Sequence, residues 1–69
     1  MDDTKCLLIS KKIKLKRYAL GYSQEYMAQQ LGISQNVYSK NERDVKNIPL
    51  IRIIQIASIL NVSVSRLLK

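Results

Sequence analysis

The sequence predicts an all-α protein built as one compact bundle of five short helices, and three features of the chain point there. Apolar residues recur at intervals of three and four rather than two, the spacing of a helix face. Serines stand just ahead of three of these segments, at Ser23, Ser34 and Ser63, where a hydroxyl can accept an unpaired backbone N–H. The two glycines and the single proline fall between segments, while Leu, Ile, Lys and Gln fill them.

In the first segment Ile9, Ile13 and Leu20 recur at helical intervals, with Lys11, Lys12, Lys14, Lys16 and Arg17 between them. A start near Thr4 and a start at Ser10 both fit, and Gly21 is suited to ending the helix in a left-handed turn. Ser23 then caps a second helix, with Glu25 in its first turn favoured by the helix dipole. Met27, Ala28 and Leu31 line one face of it, and Gly32 stops it. After Ile33, Ser34 caps a third helix that runs to about Arg43.

Residues Asp44 to Ile48 read as a polar turn. Pro49 suits the start of a fourth helix, where its missing N–H would lack a partner in any case. From Leu50 to Leu60 only Arg52, Gln55 and Ser58 are polar, and their spacing by three makes one narrow stripe. So wide an apolar surface exceeds what a small core needs, and part of it is expected to face a second protomer. Asn61 ends this helix, Val62 packs inward, and Ser63 caps a last short helix carrying Leu67 and Leu68. No repeat or linker interrupts the chain, so residues 1–69 read as a single domain with its motif at about 23–43.

Composition narrows the function. Twelve Lys and Arg against five Asp and Glu leave a formal charge of +7 on 69 residues, which attracts a polyanion, nucleic acid first among them. A membrane is not expected as partner, because no apolar run has the length of a span and the apolar stripes are expected to be taken up by the core. Cys6 is the single cysteine and there is no histidine, so an intrachain disulfide, a Cys/His zinc site and histidine acid–base chemistry are all excluded. With no phosphate-cradling loop either, the chain is not expected to be an enzyme or to hold a cofactor or metal. Cys6 reads as a small apolar filler. The acidic start, Met-Asp-Asp-Thr-Lys, is unlike the basic start of a signal peptide, and the cytoplasm is the expected compartment.

The third helix carries the chemistry. Gln35, Asn36, Ser39, Lys40 and Arg43 fall at i, i+1, i+4, i+5 and i+8, one face of a helix. An ordinary solvated face would carry Glu and Lys pairs, whereas this one carries amides and cations. Gln and Asn can each make two bonds to the edge of adenine, and Lys or Arg can meet guanine O6 and N7, each good pair giving roughly 1–3 kcal/mol of discrimination. Ala28 stands where two helices would cross closely, Gly32 permits a tight turn, and Ile33 can plug the angle between them.

Taken together, Ile13-Lys-Leu-Lys-Arg17, Gly21-Tyr-Ser-Gln24, Ala28, Leu31-Gly-Ile-Ser-Gln35, Ser39-Lys40, Glu42-Arg43, Ile56-Ala57 and Leu60-Asn-Val-Ser63 resemble the Cro and phage-repressor-like helix-turn-helix regulators, the XRE family. The resemblance runs from about Ile13 to Leu68. It implies the five-helix, lambda-repressor-like fold, a third helix that lies in the major groove of double-stranded DNA, and dimers on two-fold-related half-sites.

It also implies roles for single residues. Gln24 would bond a phosphate and brace the base-reading Gln35, with Asn36, Ser39 and Lys40 as the other groove-facing positions. Arg43, Lys46 and Asn47, with the backbone N–H groups from Asp44 to Asn47, would grip the sugar–phosphate backbone. Arg17 and Glu42 would form a partly buried ion pair joining the first helix to the third. Ile59, Val62, Val64 and Arg66 are the dimer-interface candidates. Tyr22 and Tyr26 are expected to pack where helices one and two meet, and Lys11, Lys12 and Lys14 to form a solubilising face, with an extra phosphate track as the alternative.

Three positions depart from the family pattern: Asn41 where a large apolar residue is usual, Tyr38 where Ile or Val is common, and Asp44 where Gly is common. Asp tolerates left-handed backbone well enough for the turn to survive. The expected function is a transcription regulator, a repressor that binds a palindromic operator as a homodimer. The competing expectation is an antitoxin that binds both its promoter and a toxin protein, the latter through Ile48, Ile51, Ile54 and Ile59.

Overall fold

A computed structural model describes residues 3–69; Met1 and Asp2, the first residues of the acidic start, lie outside the described residues. Five α-helices follow one another: α1 Asp3–Ala19, α2 Gln24–Leu31, α3 Gln35–Arg43, α4 Leu50–Ile59 and α5 Val64–Leu68, with a short 3-10 turn, Val45–Asn47, between α3 and α4. No strand occurs among the described residues. The all-α, five-helix fold expected from the sequence is the fold observed.

Three of the helix junctions are built alike. Gly21, Gly32 and Asn61 each take a positive φ, at 74°, 69° and 59°. The N–H after each turns back onto the helix just left: Tyr22 to the Arg17 carbonyl, Ile33 to that of Ala28 and Val62 to that of Ala57, all at 3.0 Å. This left-handed ending satisfies carbonyls that would otherwise have no partner. The next residue is a serine in every case. Ser23, Ser34 and Ser63 accept the N–H of Tyr26, Val37 and Arg66 at 2.9, 3.2 and 3.2 Å. The residue between, Tyr22, Ile33 or Val62, packs against the core. Gly-Tyr-Ser, Gly-Ile-Ser and Asn-Val-Ser are thus one device used three times: a stop, an apolar plug and a start.

The core gathers Ile9 and Ile13 from α1, Met27 and Ala28 from α2, Tyr38 from α3, Val45, then Ile53, Ile56, Ala57 and Leu60, and Leu67 from α5. Burying each large aliphatic side chain contributes about 1.5–3 kcal/mol. α1 lies against α3, the 3-10 turn and α5, while α4 closes the other side against α2 and α5. Cys6 is buried, in keeping with a filler role.

Several local expectations are corrected. Of the two starts that fit α1, the one near Thr4 is observed, at Asp3, but the helix ends at Ala19, so that Leu20 falls in the turn and is exposed. Pro49 sits one residue ahead of α4 in extended conformation and contributes its carbonyl, which accepts from Arg52 at 3.0 Å. The polar stretch after α3 holds a 3-10 turn that buries Val45 against the core. Asp44, with φ −129° and ψ 62°, is not left-handed, because the turn begins directly at Val45. Asn41 is half-buried and accepts from Arg52 Nη1 at 2.9 Å, which answers its need for a partner.

The apolar stripes are not all taken up by the core. Leu7, Leu8, Leu15 and Tyr18 on α1, and Leu50, Ile51 and Ile54 on α4, remain exposed. No helix among the described residues is long and apolar enough to cross a membrane.

Candidate nucleic-acid interface

α2 and α3 are joined through Gly32, Ile33 and Ser34, and α3 turns one side inward and the other out. Tyr38 and Glu42 face the core. Gln35, Asn36, Lys40 and Arg43 are exposed, and Ser39 is half-buried. Ser39 and Arg43 meet Gln24 from α2 and Ser10 and Lys14 from α1 around an open cleft of about 310 Å³. Lys14, expected as part of a solubilising face with a phosphate track as the alternative, therefore stands with the residues expected to grip phosphate. Lys46 and Asn47 are exposed on the 3-10 turn, where Asn47 Nδ2 donates to Asp44 Oδ2 at 2.7 Å.

Two of the backbone N–H groups expected to face phosphate are bonded within the chain. That of Asp44 donates to the Lys40 carbonyl at 2.8 Å and that of Asn47 to the Asp44 carbonyl at 3.1 Å. These bonds close the end of α3 and the 3-10 turn.

Behind the exposed face lies a buried network centred on Glu42. Arg17 meets it in a fork, Nε to Oε2 at 2.8 Å and Nη2 to Oε1 at 3.0 Å, while Arg17 Nη1 donates to the Tyr22 carbonyl at 2.9 Å. Tyr38 Oη donates to Oε2 at 2.6 Å, and Gln24 Nε2 lies 3.5 Å from Oε1. Ser10 Oγ donates to the Glu42 backbone carbonyl. One carboxylate and its carbonyl thus tie α1, the start of α2 and the end of α3 together.

The charges behave accordingly. Burial favours the neutral acid at Glu42, but the hydrogen bonds from Arg17 and then Tyr38, with the Arg17 charge, outweigh it and hold its pKa below the ordinary glutamate value. The hydrogen bond to Glu42 raises the pKa of Arg17 against the opposing effect of burial. Tyr38 is pushed up, first by burial and then by donating to a carboxylate that its own ionisation would oppose. No buried side-chain N or O among the described residues lacks a hydrogen-bond partner.

The part played by the Tyr38 hydroxyl was not anticipated, although Tyr38 and Glu42 stand at i and i+4, a spacing that places two side chains side by side. Tyr22 and Tyr26 do pack together, their ring centroids 4.5 Å apart. The dimer-interface candidates line different grooves. Ile59 shares one with Gln30, Leu31 and Ile54, and Val62 and Arg66 share another with Lys12 and Lys16. Val64 is half-buried on α5.

Two helices joined by a tight glycine turn, the second presenting amides and cations and the whole braced by three further helices, define a helix-turn-helix domain. The helix-turn-helix family model matches residues 13–67, and the chain belongs to that family, the Cro/C1-type or XRE regulators. It is a DNA-binding transcriptional regulator, and the family is one of DNA binders rather than enzymes. Comparison with curated proteins and with solved structures gave no match. No group of three or more His, Cys, Asp and Glu suited to a metal ion occurs among the described residues.

Proposed function

We propose that the protein is a repressor that binds a palindromic operator as a homodimer, acting in the cytoplasm on nucleoid DNA. The supporting observation is the two-sided character of α3: an exposed face of amides and cations on a helix whose other side is held in the core. With α3 in the major groove, Gln35, Asn36, Ser39 and Lys40 read base edges. Gln24, Arg43, Lys46 and Asn47 contact phosphates, which set register and affinity without reading sequence. Ile59, Val62, Val64 and Arg66 supply the dimer contact, and the half-sites lie about one helical turn, roughly 34–36 Å, apart.

A second reading, an antitoxin that also covers a toxin protein, draws support from the exposed apolar residues Ile51 and Ile54 of α4. The two separate in one experiment, the selection of bound duplexes from a random DNA pool at physiological salt with wild type and Gln35→Ala. A repressor enriches a two-fold motif, and Gln35→Ala blurs that motif at one position in each half. Enrichment of a single unpaired half-site would remove the dimer, and no enrichment would remove the operator reading.

A further inference from the structure

α1 has a second stripe, turned away from the core. Its buried residues Cys6, Ile9, Ile13 and Arg17 run along one side. On the opposite side Thr4, Leu8, Lys11, Leu15 and Tyr18 succeed one another at intervals of four, three, four and three, which aligns them along the helix axis. Leu8 is 53% exposed, Leu15 54% and Tyr18 60%. Large apolar side chains left in water along one line mark a contact surface. The stripe is about 21 Å long at 1.5 Å per residue. Its first part lies upstream of the segment that matches the family, which starts at residue 13.

The alternation of four and three is the spacing with which one helix seats against another. The cations on this face decide which helix fits. Lys11 lies within the stripe and is exposed, while Lys12 is drawn aside to donate to the Lys69 carbonyl and Lys14 lines the cleft with Ser39 and Arg43. A second copy of α1 would set lysine against lysine in a chain that already carries +7. A membrane surface would press Lys11 toward the acyl layer, whereas interfacial helices keep their cations on the other face. A helix with leucines along its seam and glutamates beside them matches both the apolar and the charged positions. Tyr18 is already held for such a contact, its ring lying 4.6 Å from the Arg17 guanidinium carbon.

We infer that the outer face of α1 docks an acidic amphipathic helix of a partner protein through Leu8, Lys11, Leu15 and Tyr18. This face is opposite the one that meets α3, so the inference does not rest on the operator reading.

The test uses the full chain and three probes: a labelled peptide with leucines at heptad seam positions and glutamates at the flanks, a scrambled peptide of the same composition, and phosphatidylglycerol vesicles. Fluorescence anisotropy should show the patterned peptide binding at least about tenfold tighter than the scrambled one. The pair Leu8→Ser and Leu15→Ser should abolish that preference while the thermal midpoint and DNA binding stay as in wild type. Lys11→Glu should transfer the preference to a peptide with lysines at the flanks. Equal binding of patterned and scrambled peptides overturns the inference, as does a preference that survives the serine variant. Vesicle binding that is lost in the serine variant without any peptide preference would assign the face to lipid, and self-association lost in that variant would assign it to a second copy.

Discussion

The two ends of α3 are held in opposite ways. At its first turn Gln35 and Asn36 are exposed, and the described anchor is the Ser34 hydroxyl on the Val37 N–H. Further along, Tyr38 and Glu42 are buried and reach α1 and α2 through Arg17, Ser10 and Gln24. Under the proposed function these side chains read bases and must stay unbonded to their own protein, so they contribute little to folding. The orientation of the helix is therefore set from its other end, chiefly by the buried Arg17, Tyr38 and Glu42. Because Arg17 and Glu42 neutralise each other in the interior, the charges left on the outer side of α3 are those of Lys40 and Arg43.

The strongest way to break this division is at Glu42. Glu42→Ala strands the Arg17 charge inside the protein and is expected to cost about 3–5 kcal/mol in urea unfolding at neutral pH. Adding Arg17→Met to it should restore part of the loss, since no buried charge then lacks a partner. Additive losses in the double-mutant cycle would show that the pair is not coupled.

Tyr38→Phe is a smaller cut through the same network. It keeps the ring and removes one hydrogen bond to a carboxylate still held by Arg17, an expected loss of about 1–2 kcal/mol. It should also alter the pH dependence on one side only. Tyr38 has a raised pKa in the fold, so its contribution is complete below about pH 10 and declines above it, as the unfolded chain gives up the proton more readily. Glu42, with a lowered pKa, contributes above the ordinary carboxylate range and loses that contribution as pH falls through its folded value. Stability against pH should therefore flatten at the alkaline end in Tyr38→Phe and keep its acid limb, and a flattened acid limb would contradict this assignment.

The smallest effects belong to the exposed cations. Arg43→Ala and Lys14→Ala should each leave stability within about 0.5 kcal/mol of wild type. Each should lower the slope of log affinity against log salt by about one, as expected when one phosphate contact is lost. A slope unchanged by Lys14→Ala would confine the phosphate path to α2, α3 and the loop.

Much of this division can be read without coordinates. The serine caps and the left-handed Gly21 and Gly32 are local chemistry, and they mark the helix junctions because capping needs only neighbours in the chain. The outer face of α3 is legible for the same reason, since five polar residues at helical spacing define a side wherever the helix lies. The Arg17 and Glu42 pairing came through the family resemblance, as nothing local links residues 25 apart in sequence. The Tyr38 hydroxyl was missed because its partner depends on that pairing.

What the sequence alone determined is the set of five helices, the serine-capped junctions between them, the basic charge and the stripes each helix carries. It marks Ile9 and Ile13 as one apolar stripe of α1, yet Leu8 and Leu15 form a second of the same periodicity, and periodicity does not rank the two. The tertiary structure made that choice. Only the first stripe also brings Arg17 to Glu42 and Ser10 to the Glu42 carbonyl, and a buried carboxylate left without those partners is strongly destabilising.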